Sequence, residues 1–229
     1  MDTTTVAILI MVVVGILISS IDALPLLVLA LWPTQIRSAF DDVALTQLAA
    51  RENPSLQALI DTLRQMGFTM LGVKVERQPL WGRSYREVDL ASKPLQTYAS
   101  IVLHPDSSPA SFYCYTPFQD GGMVFTRDFE QGMEAEGDRL SVRNVVSPNL
   151  SEIVEDHVSR VQSMQQRGLL PVVGGSQQSR LEATHAFYAS DYARALRPNL
   201  RTPAIRRFVV LLVLFSALAV SAILIPRGR

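Results

Sequence analysis

Hydrophobic positions are concentrated at the two ends of the chain, whereas apolar and polar residues are mixed in the middle. Residues 6–32 are almost entirely apolar, and residues 208–225 contain neither a charged residue nor a proline. Because about 20 consecutive apolar residues span a bilayer as a helix, each end predicts one transmembrane helix. We therefore predict an N-terminal transmembrane helix in residues 1–33, a soluble α+β domain in residues 34–200, and a C-terminal transmembrane helix with a short tail in residues 201–229.

Two residues interrupt the first apolar run. Pro25 lacks a backbone N–H and crowds the preceding turn, so we predict a kink there. Asp22 places a carboxylate in the run, and a charge in hydrocarbon is costly unless it faces protein or water. Two interpretations of Asp22 stay open: it contacts a neighbouring subunit or forms a proton-linked site, or it lies at the membrane interface.

Small residues in the second apolar run predict a contact with another helix. Ala217 and Ser221 are four residues apart, a spacing that lets two helices approach closely. Together with Asp22, they are our candidates for packing against integral membrane subunits.

Basic residues before the second run predict its orientation. Arg201, Arg206 and Arg207 precede the run, and basic residues favour the cytoplasmic side of a membrane helix. The same arginines could bind anionic lipid head groups. We therefore predict an integral membrane protein with two spans, with residues 33–207 on the cytoplasmic side and both termini on the opposite side.

The middle of the chain begins with helical spacing. Residues 43–52 predict a short helix, and Asn53 followed by Pro54 predicts the start of a second, because Asn caps helices and Pro is tolerated at the first position. Gly67 is a suitable residue to end that second helix. Two later helices are predicted in residues 150–167 and 177–196.

Alternation with a period of two then predicts strands. The Asp120–Gly121 pair predicts a hairpin turn, and the acidic residues 128–138 predict a loop. Short connections between successive strands favour antiparallel pairing. The predicted fold class is α+β, an antiparallel five- or six-stranded meander sheet covered by helices and flanked by the two transmembrane helices. The predicted strands are residues 71–76, 84–90 as an edge strand, 97–103, 111–116, 123–127 and 139–146.

Composition narrows the classes of partner. The chain has 21 basic and 21 acidic residues, and a protein that neutralises nucleic-acid phosphates needs a net basic surface. We therefore expect no nucleic-acid partner. The single cysteine, Cys114, excludes an internal disulfide.

Residues that could carry chemistry are scattered along the chain. Cys114 lies in a predicted strand, where a buried inert thiol is the simplest interpretation and a nucleophile with a distant histidine is the alternative. His104, His157 and His185 belong to three different elements, and their spacing does not indicate a metal site. No phosphate-binding, nucleophile-elbow or zinc-protease motif is present, so we predict no catalytic residue, no metal and no cofactor.

Two clusters and one set of rings leave further alternatives open. The acidic residues of 152–156 are interpreted as favourable charge near a helix start, and those of 134–138 as a solvated loop. Aromatic residues on the predicted strands form either the core of the sheet or the lining of a ligand pocket.

Three functional hypotheses follow. The first is a non-catalytic accessory subunit of a larger integral membrane complex (respiratory, photosynthetic or transport), which packs through its membrane helices and braces its partners with the soluble domain. The second is a membrane-tethered sensor or ligand-binding domain. The third is a membrane-anchored hydrolase that uses Cys114.

Overall fold

An eight-stranded sheet and the helices around it make up the described part of the chain. The computed structural model describes residues 6, 10, 13–15, 24–25, 27–29, 31–32, 36–50, 53–80, 82, 84–130 and 134–224. The side chains of residues 50, 196–201, 203, 212, 215 and 218–224 lie outside this description. Helices α1 to α5 are Asp42–Ala50, Pro54–Gln65, Leu150–Gln166, Gln177–Ala189 and Asp191–Leu224. Strands β1 to β8 are Arg37–Phe40, Thr69–Arg77, Ser84–Ser92, Thr97–Leu103, Pro109–Pro117, Met123–Arg127, Ala135–Glu136 and Leu140–Asn144.

The sheet is mixed, so the predicted antiparallel meander of five or six strands is wrong. The strand order is β1-β2-β3-β4-β5-β6-β8-β7. Strands β3 to β6 pair antiparallel as predicted, but β6 and β8 pair in parallel. The physical reason is the segment after β6, which forms no direct turn. It contributes β7 before β8 begins, and parallel neighbours need a crossover rather than a hairpin.

The strands that the alternation pattern missed are short or only half buried. Strand β1 is Arg37–Phe40 and β7 is Ala135–Glu136, which falls in the predicted acidic loop. Four and two residues are too few for a period of two to stand out. Strand β3 was predicted at the edge of the sheet, but it lies between β2 and β4 and most of its residues are buried.

One face of the sheet, which we call the apolar face, carries the main hydrophobic core. Helix α2 contributes Leu56, Ile60 and Leu63, and α3 contributes Ile153 and Val154. The strands meet these helices with buried side chains of the same character: Val73, Val88, Leu90, Ala99, Ile101, Phe112 and Cys114.

Local signals that start and end α2 work as predicted. The Asn53 side chain accepts a hydrogen bond from the N–H of Leu56, 3.1 Å away. Gly67 has φ +87°, which glycine adopts without the strain of a Cβ. The N–H of Phe68 then donates to the carbonyl of Leu63 at 3.0 Å, and the Phe68 ring is buried over the last turn. The chain therefore turns sharply into β2.

The C-terminal helical region differs from the prediction at both of its boundaries. The predicted helix 177–196 is broken at Ser190, whose extended backbone ends α4. Helix α5 then continues through Pro198 and Pro203, although a proline inside a helix removes a backbone hydrogen bond and crowds the preceding turn. Nothing among the described contacts explains why α5 tolerates the two prolines.

Two membrane-spanning helices are not supported, so the predicted localisation and the transmembrane part of the predicted fold class are wrong. Among the described residues, every helix is too short or too polar to pass through a bilayer. The first half of α5, before Phe208, is rich in arginine. Because the described residues contain no span, the predicted cytoplasmic side of residues 33–207 is not supported.

Several predicted packing residues lie at or beyond the limits of the description. Asp22 lies outside the described residues, and for Ser221 and Arg201 only the α5 backbone is described. Arg206, Arg207 and Ala217 are exposed on α5.

Contacts between Cα atoms divide the chain into two units. One contains Met1–Arg37, Arg77–Arg83 and Ala193–Arg229, and the other contains Ser38–Glu76 and Ser84–Tyr192. The second unit holds nearly the whole sheet and α1 to α4. The site described below lies entirely within it.

Candidate functional site: an ionic pocket between the sheet and α4

The second face of the sheet, which we call the polar face, carries charged side chains that are buried. Lys74 and Asp89 are 0% exposed, and Arg180 on α4 is 2% exposed. Asp89 is the register partner of Ser100, and Ser100 is the partner of Tyr113, so three polar residues form a row across β3, β4 and β5. Alternation along β2 and β3 adds Glu76 and Glu87 to the same face, and α4 covers the row.

Lys74 lies at the centre of three carboxylates. Its Nζ is 2.8 Å from Glu76 Oε1, 3.0 Å from Glu87 Oε2 and 3.5 Å from Asp89 Oδ2. Nζ also donates to the hydroxyl of Thr184 on α4 at 3.3 Å. Burial and Arg180 act to lower the pKa of Lys74, but Asp89 and Glu87 outweigh them and hold that pKa well above its ordinary value. Lys74 therefore stays charged.

Arg180 joins α4 to the row on the sheet. Its Nη2 donates to the hydroxyls of Ser100 at 3.0 Å and Tyr113 at 2.9 Å, and its Nη1 donates to Thr184 at 2.9 Å. Its Nε lies 3.2 Å from Asp89 Oδ2, although neither atom has the alignment of a hydrogen bond with any described residue. We treat this contact as an ion pair by proximity, which is attractive but not fully satisfied.

Two tyrosines connect to the glutamates. Tyr113 donates to Glu87 Oε2 at 2.7 Å, and Tyr188 on α4 donates to Glu76 Oε2 at 2.6 Å. Burial is the main cause that raises the pKa of both phenols. Both hydroxyls therefore remain proton donors to the carboxylates.

Aromatic rings complete the wall on the β6 side. The ring centroid of Phe187 is 5.4 Å from that of Phe125, 5.7 Å from Tyr115 and 5.3 Å from Tyr188. The rings of Tyr113 and Phe125 lie 5.2 Å apart. These distances are in the range of favourable tilted and edge-to-face contacts, so the rings form one continuous apolar surface.

The charged groups and the rings enclose a cavity of about 120 Å³ that we call the ionic pocket. A larger hollow of about 510 Å³ lies over α1 and α2, but its lining is mostly aliphatic and it brings no opposing charges together. We take the ionic pocket as the candidate site because it combines a cavity with convergent polar groups and perturbed pKa values. Its lining residues are Lys74, Glu76, Glu87, Tyr113, Tyr115, Phe125, Arg180, Thr184, Phe187 and Tyr188.

Glu87 has a raised pKa. Burial raises its pKa, with Glu76 and Asp89 acting in the same direction, and Lys74 and Arg180 only partly oppose this. Glu87 therefore takes up a proton at a higher pH than an ordinary glutamate.

Comparisons with known proteins do not add a relative. No protein-family model, no curated protein and no solved structure matches this chain.

The residues that the sequence singled out for chemistry do not converge on the ionic pocket. Cys114 is buried on the apolar face, and burial raises the pKa of its thiol, so the thiolate that a nucleophile requires is disfavoured. His104 and His185 are exposed, whereas His157 is buried. Among the described residues, no group of three or more His, Cys, Asp or Glu side chains has the arrangement of a metal site.

His157 belongs to a separate cluster of polar side chains on the apolar face, which we call the His157 cluster. Its Nδ1 is 2.7 Å from the Thr126 hydroxyl, and its Nε2 is 3.0 Å from the Thr116 hydroxyl. Arg160 contacts Thr126 and donates to Ser141 Oγ at 2.8 Å and to Asp156 at 2.9 Å. Burial, aided by Arg160, lowers the pKa of His157 well below its ordinary value. This neutral imidazole joins α3 to β5 and β6.

Sequence reasoning missed the ionic pocket because it assigned alternating polar positions to solvent. Lys74 and Glu76 on β2, and Glu87 and Asp89 on β3, are each two residues apart. Opposite charges at this spacing on consecutive strands are a signal for a cross-strand ionic cluster. The aromatic residues of the strands divide between the two faces: Tyr113, Tyr115 and Phe125 line the ionic pocket, and Phe112 lies in the core. That the pocket takes a ligand stays a prediction.

Proposed function

We propose that this protein is a binding domain that takes a small polar ligand in the ionic pocket. The carrying observation is the burial of two cations and three carboxylates around a cavity instead of a packed interface. Replacing a buried ionic network with apolar residues is often neutral or stabilising. Stability alone therefore does not account for so many charges, and ligand recognition does.

The size of the cavity limits the ligand. Drug-sized ligands occupy pockets of about 300–1,000 Å³, and the ionic pocket offers about 120 Å³. A ligand of a few heavy atoms fits this volume.

A thermal-shift screen of small polar metabolites tests the proposal on the full chain. A ligand at 100 times its Kd stabilises the folded state by about 2.7 kcal/mol. We expect at least one compound to raise the melting temperature of the wild type. Phe187→Trp, which enlarges a ring at the pocket wall, should abolish that shift, and Phe129→Trp, at an exposed ring elsewhere, should retain it. A shift that survives Phe187→Trp, or a screen without any shift, would contradict the proposal.

A second candidate is the non-catalytic accessory subunit, and the exposed side of α5 favours it. Phe208, Val209, Val210, Val213 and Leu214 are each 41–60% exposed, in a stretch without charge. Contiguous exposed apolar side chains of this size mark interaction sites. We propose an apolar helix of another subunit as the occupant, because Ala217 lies exposed within one turn of Val213 and permits close approach.

Affinity purification in mild detergent, followed by mass spectrometry, tests this second candidate. We expect a defined set of partners that is lost with Val210→Ser combined with Val213→Ser. Val172→Ser, at an exposed valine outside α5, is the matched control and should retain the set. A protein that runs as a monomer without partners, or partners that do not respond to the α5 changes, would contradict it.

A further inference from the structure

We propose that the ligand of the ionic pocket is a small organic cation, an alkylated ammonium group bound by Glu87 and the ring of Phe187. This inference rests on the proposed binding function and names the chemical class of the ligand. Two features of the pocket support this inference: which charged groups already have partners, and which side chains form the wall.

The positive groups of the pocket have little capacity left for an anion. Lys74 has three N–H donors, and Glu76, Glu87 and Thr184 each lie within 3.3 Å of its Nζ. Arg180 donates hydrogen bonds to Thr184, Ser100 and Tyr113, and its Nε is paired by proximity with Asp89. An anionic ligand would have to displace these contacts.

The negative groups, in contrast, reach toward the opening. The side chains of Lys74 and Asp89 are 0% exposed, whereas those of Glu76 and Glu87 are 10% and 9% exposed. Within the described part of the chain, Glu87 Oε1 has no hydrogen-bond partner, since all contacts to Glu87 go to Oε2. The lining carries two carboxylates, Glu76 and Glu87, and two cations whose donors are already engaged. An incoming ligand therefore meets the Oε1 atom of Glu87 as a free acceptor.

The wall favours a cation that carries alkyl groups. The rings of Tyr115, Phe125, Phe187 and Tyr188 border the cavity. The face of an aromatic ring is negative and attracts a desolvated cation, and such rings recognise quaternary ammonium ligands. A metal ion would gain little from this apolar wall, but methyl groups on nitrogen would pack against it.

The opposing interpretation is a static ionic cluster that only joins α4 to the sheet. Both interpretations predict that changes at Lys74 destabilise the fold. They differ in their predictions for binding, because a purely structural cluster would not bind one solute in preference to another.

Isothermal titration of the full chain with three probes of similar branched shape tests the class of ligand. The probes are tetramethylammonium chloride as the cation, neopentyl alcohol as the neutral analogue and sodium pivalate as the anion, at matched ionic strength. We expect tetramethylammonium to bind most tightly. Glu87→Gln should weaken it by about 10- to 100-fold, the loss of one charged contact, and Phe187→Leu by about 2- to 30-fold, the loss of one cation–π contact. Glu155→Gln, at an exposed glutamate on α3, should leave the affinity unchanged.

The pH dependence of binding provides a readout that a structural role would not move. Glu87 is faced by Lys74 and Glu76 from β2, Asp89 from β3, Tyr113 from β5, and Arg180 and Tyr188 from α4. Because the pKa of Glu87 is raised, acidification should weaken tetramethylammonium binding before an ordinary glutamate would titrate. Glu87→Gln should remove this part of the pH dependence.

Each outcome decides between the proposals. Tighter binding of pivalate or neopentyl alcohol in a Phe187-dependent manner would overturn the cation and leave the binding function standing. If neither Glu87→Gln nor Phe187→Leu changes the affinity for tetramethylammonium, the cation binds outside the pocket and the inference is overturned. Absence of binding by all three probes would overturn it as well, and the metabolite screen with the Phe187→Trp pair would then decide the binding function. If Glu87→Gln fails to fold, as judged by circular dichroism, Phe187→Leu carries the test.

Discussion

The two faces of the sheet are built from the same strands, but apolar packing holds one face and ionic contacts hold the other. On the apolar face, Val73 and Val88 pack against aliphatic side chains of α2 and α3. One residue along each strand, Lys74 and Asp89 are equally buried but lie in an ionic network under α4. Both faces exclude water, so burial alone does not distinguish core from site. The faces differ in how much stability a lost contact costs. Trimming an apolar side chain removes only part of its packing energy, whereas a buried charge that loses its partner keeps its full desolvation penalty.

The largest expected effect comes from breaking the polar face. Lys74→Met leaves Glu76, Glu87 and Asp89 buried without their shared cation, and removing one partner of a buried ion pair costs about 3–5 kcal/mol. We expect a loss of this size in the free energy of unfolding, measured by urea denaturation at pH 7. Leu63→Met is the matched change on the apolar face and should cost less than about 1.5 kcal/mol. Equal losses in the two variants would show that the faces do not differ in this way.

A cavity on the apolar face is the next largest effect. Leu63 is 0% exposed, and Leu→Ala in a packed core costs about 2–5 kcal/mol. We expect Leu63→Ala to lower the free energy of unfolding by an amount in this range. Because Leu63 lies on the other side of the sheet, binding of the ionic-pocket ligand should stay within about twofold of wild type under conditions where both proteins are folded. A larger change in binding would mean that the faces are coupled.

The contribution of the His157 cluster to stability should depend on pH. Burial lowers the pKa of His157, so the folded state holds it neutral while the unfolded state takes up a proton below about pH 6.5. The unfolded state then binds more protons, and stability falls as pH falls, by up to about 1.4 kcal/mol per pH unit. We expect His157→Gln to remove this contribution to the slope between pH 6.5 and pH 5. His185→Gln, at an exposed imidazole, should retain it.

The smallest expected effects are at the helix starts, where the faces should behave alike. The Asn149 side chain accepts from Ser151 N at 3.1 Å at the start of α3, and the Ser176 side chain accepts from Ser179 N at 3.2 Å at the start of α4. Loss of such a cap costs about 1 kcal/mol. We expect Asn149→Ala and Ser176→Ala to cost similar amounts in thermal unfolding. A much larger loss at Ser176 would indicate that the polar face depends on the position of α4 more than on its side chains.

Local signals predicted the elements better than the sequence could predict their arrangement. Asn53, Gly67 and Asn149 act through neighbours a few residues away, so their roles are readable from the chain, and strands β2 to β6 follow from alternation. The parallel pairing of β6 with β8 is a long-range choice that no local pattern records. The N-terminal apolar run and residues 208–225 show a related limit, since hydropathy indicated spans that the described helices do not form.

The candidate site was hidden for a related reason. Alternation states that Lys74 and Glu76 share a face, but it does not state that a later helix covers that face. Arg180 is more than 90 residues from Asp89 along the chain, so their pairing depends on the fold. Cys114 shows the converse: its residue type suggests a nucleophile, but its burial in the core disfavours the thiolate.

The two-residue strand β7 affects whether two copies of the protein can pair through this edge of the sheet. An exposed sheet edge is a template on which another chain can add a strand. Strand β7 covers β8 at Val142 and Ser141, and the Glu134 carboxylate, just before β7 begins, accepts the N–H of Asn144 at 2.9 Å. This edge of the sheet is thus a very short strand with the acidic side chains of Glu134 and Glu136. Such an edge offers an incoming strand few free backbone groups and repels a second copy of itself, which disfavours edge-to-edge aggregation.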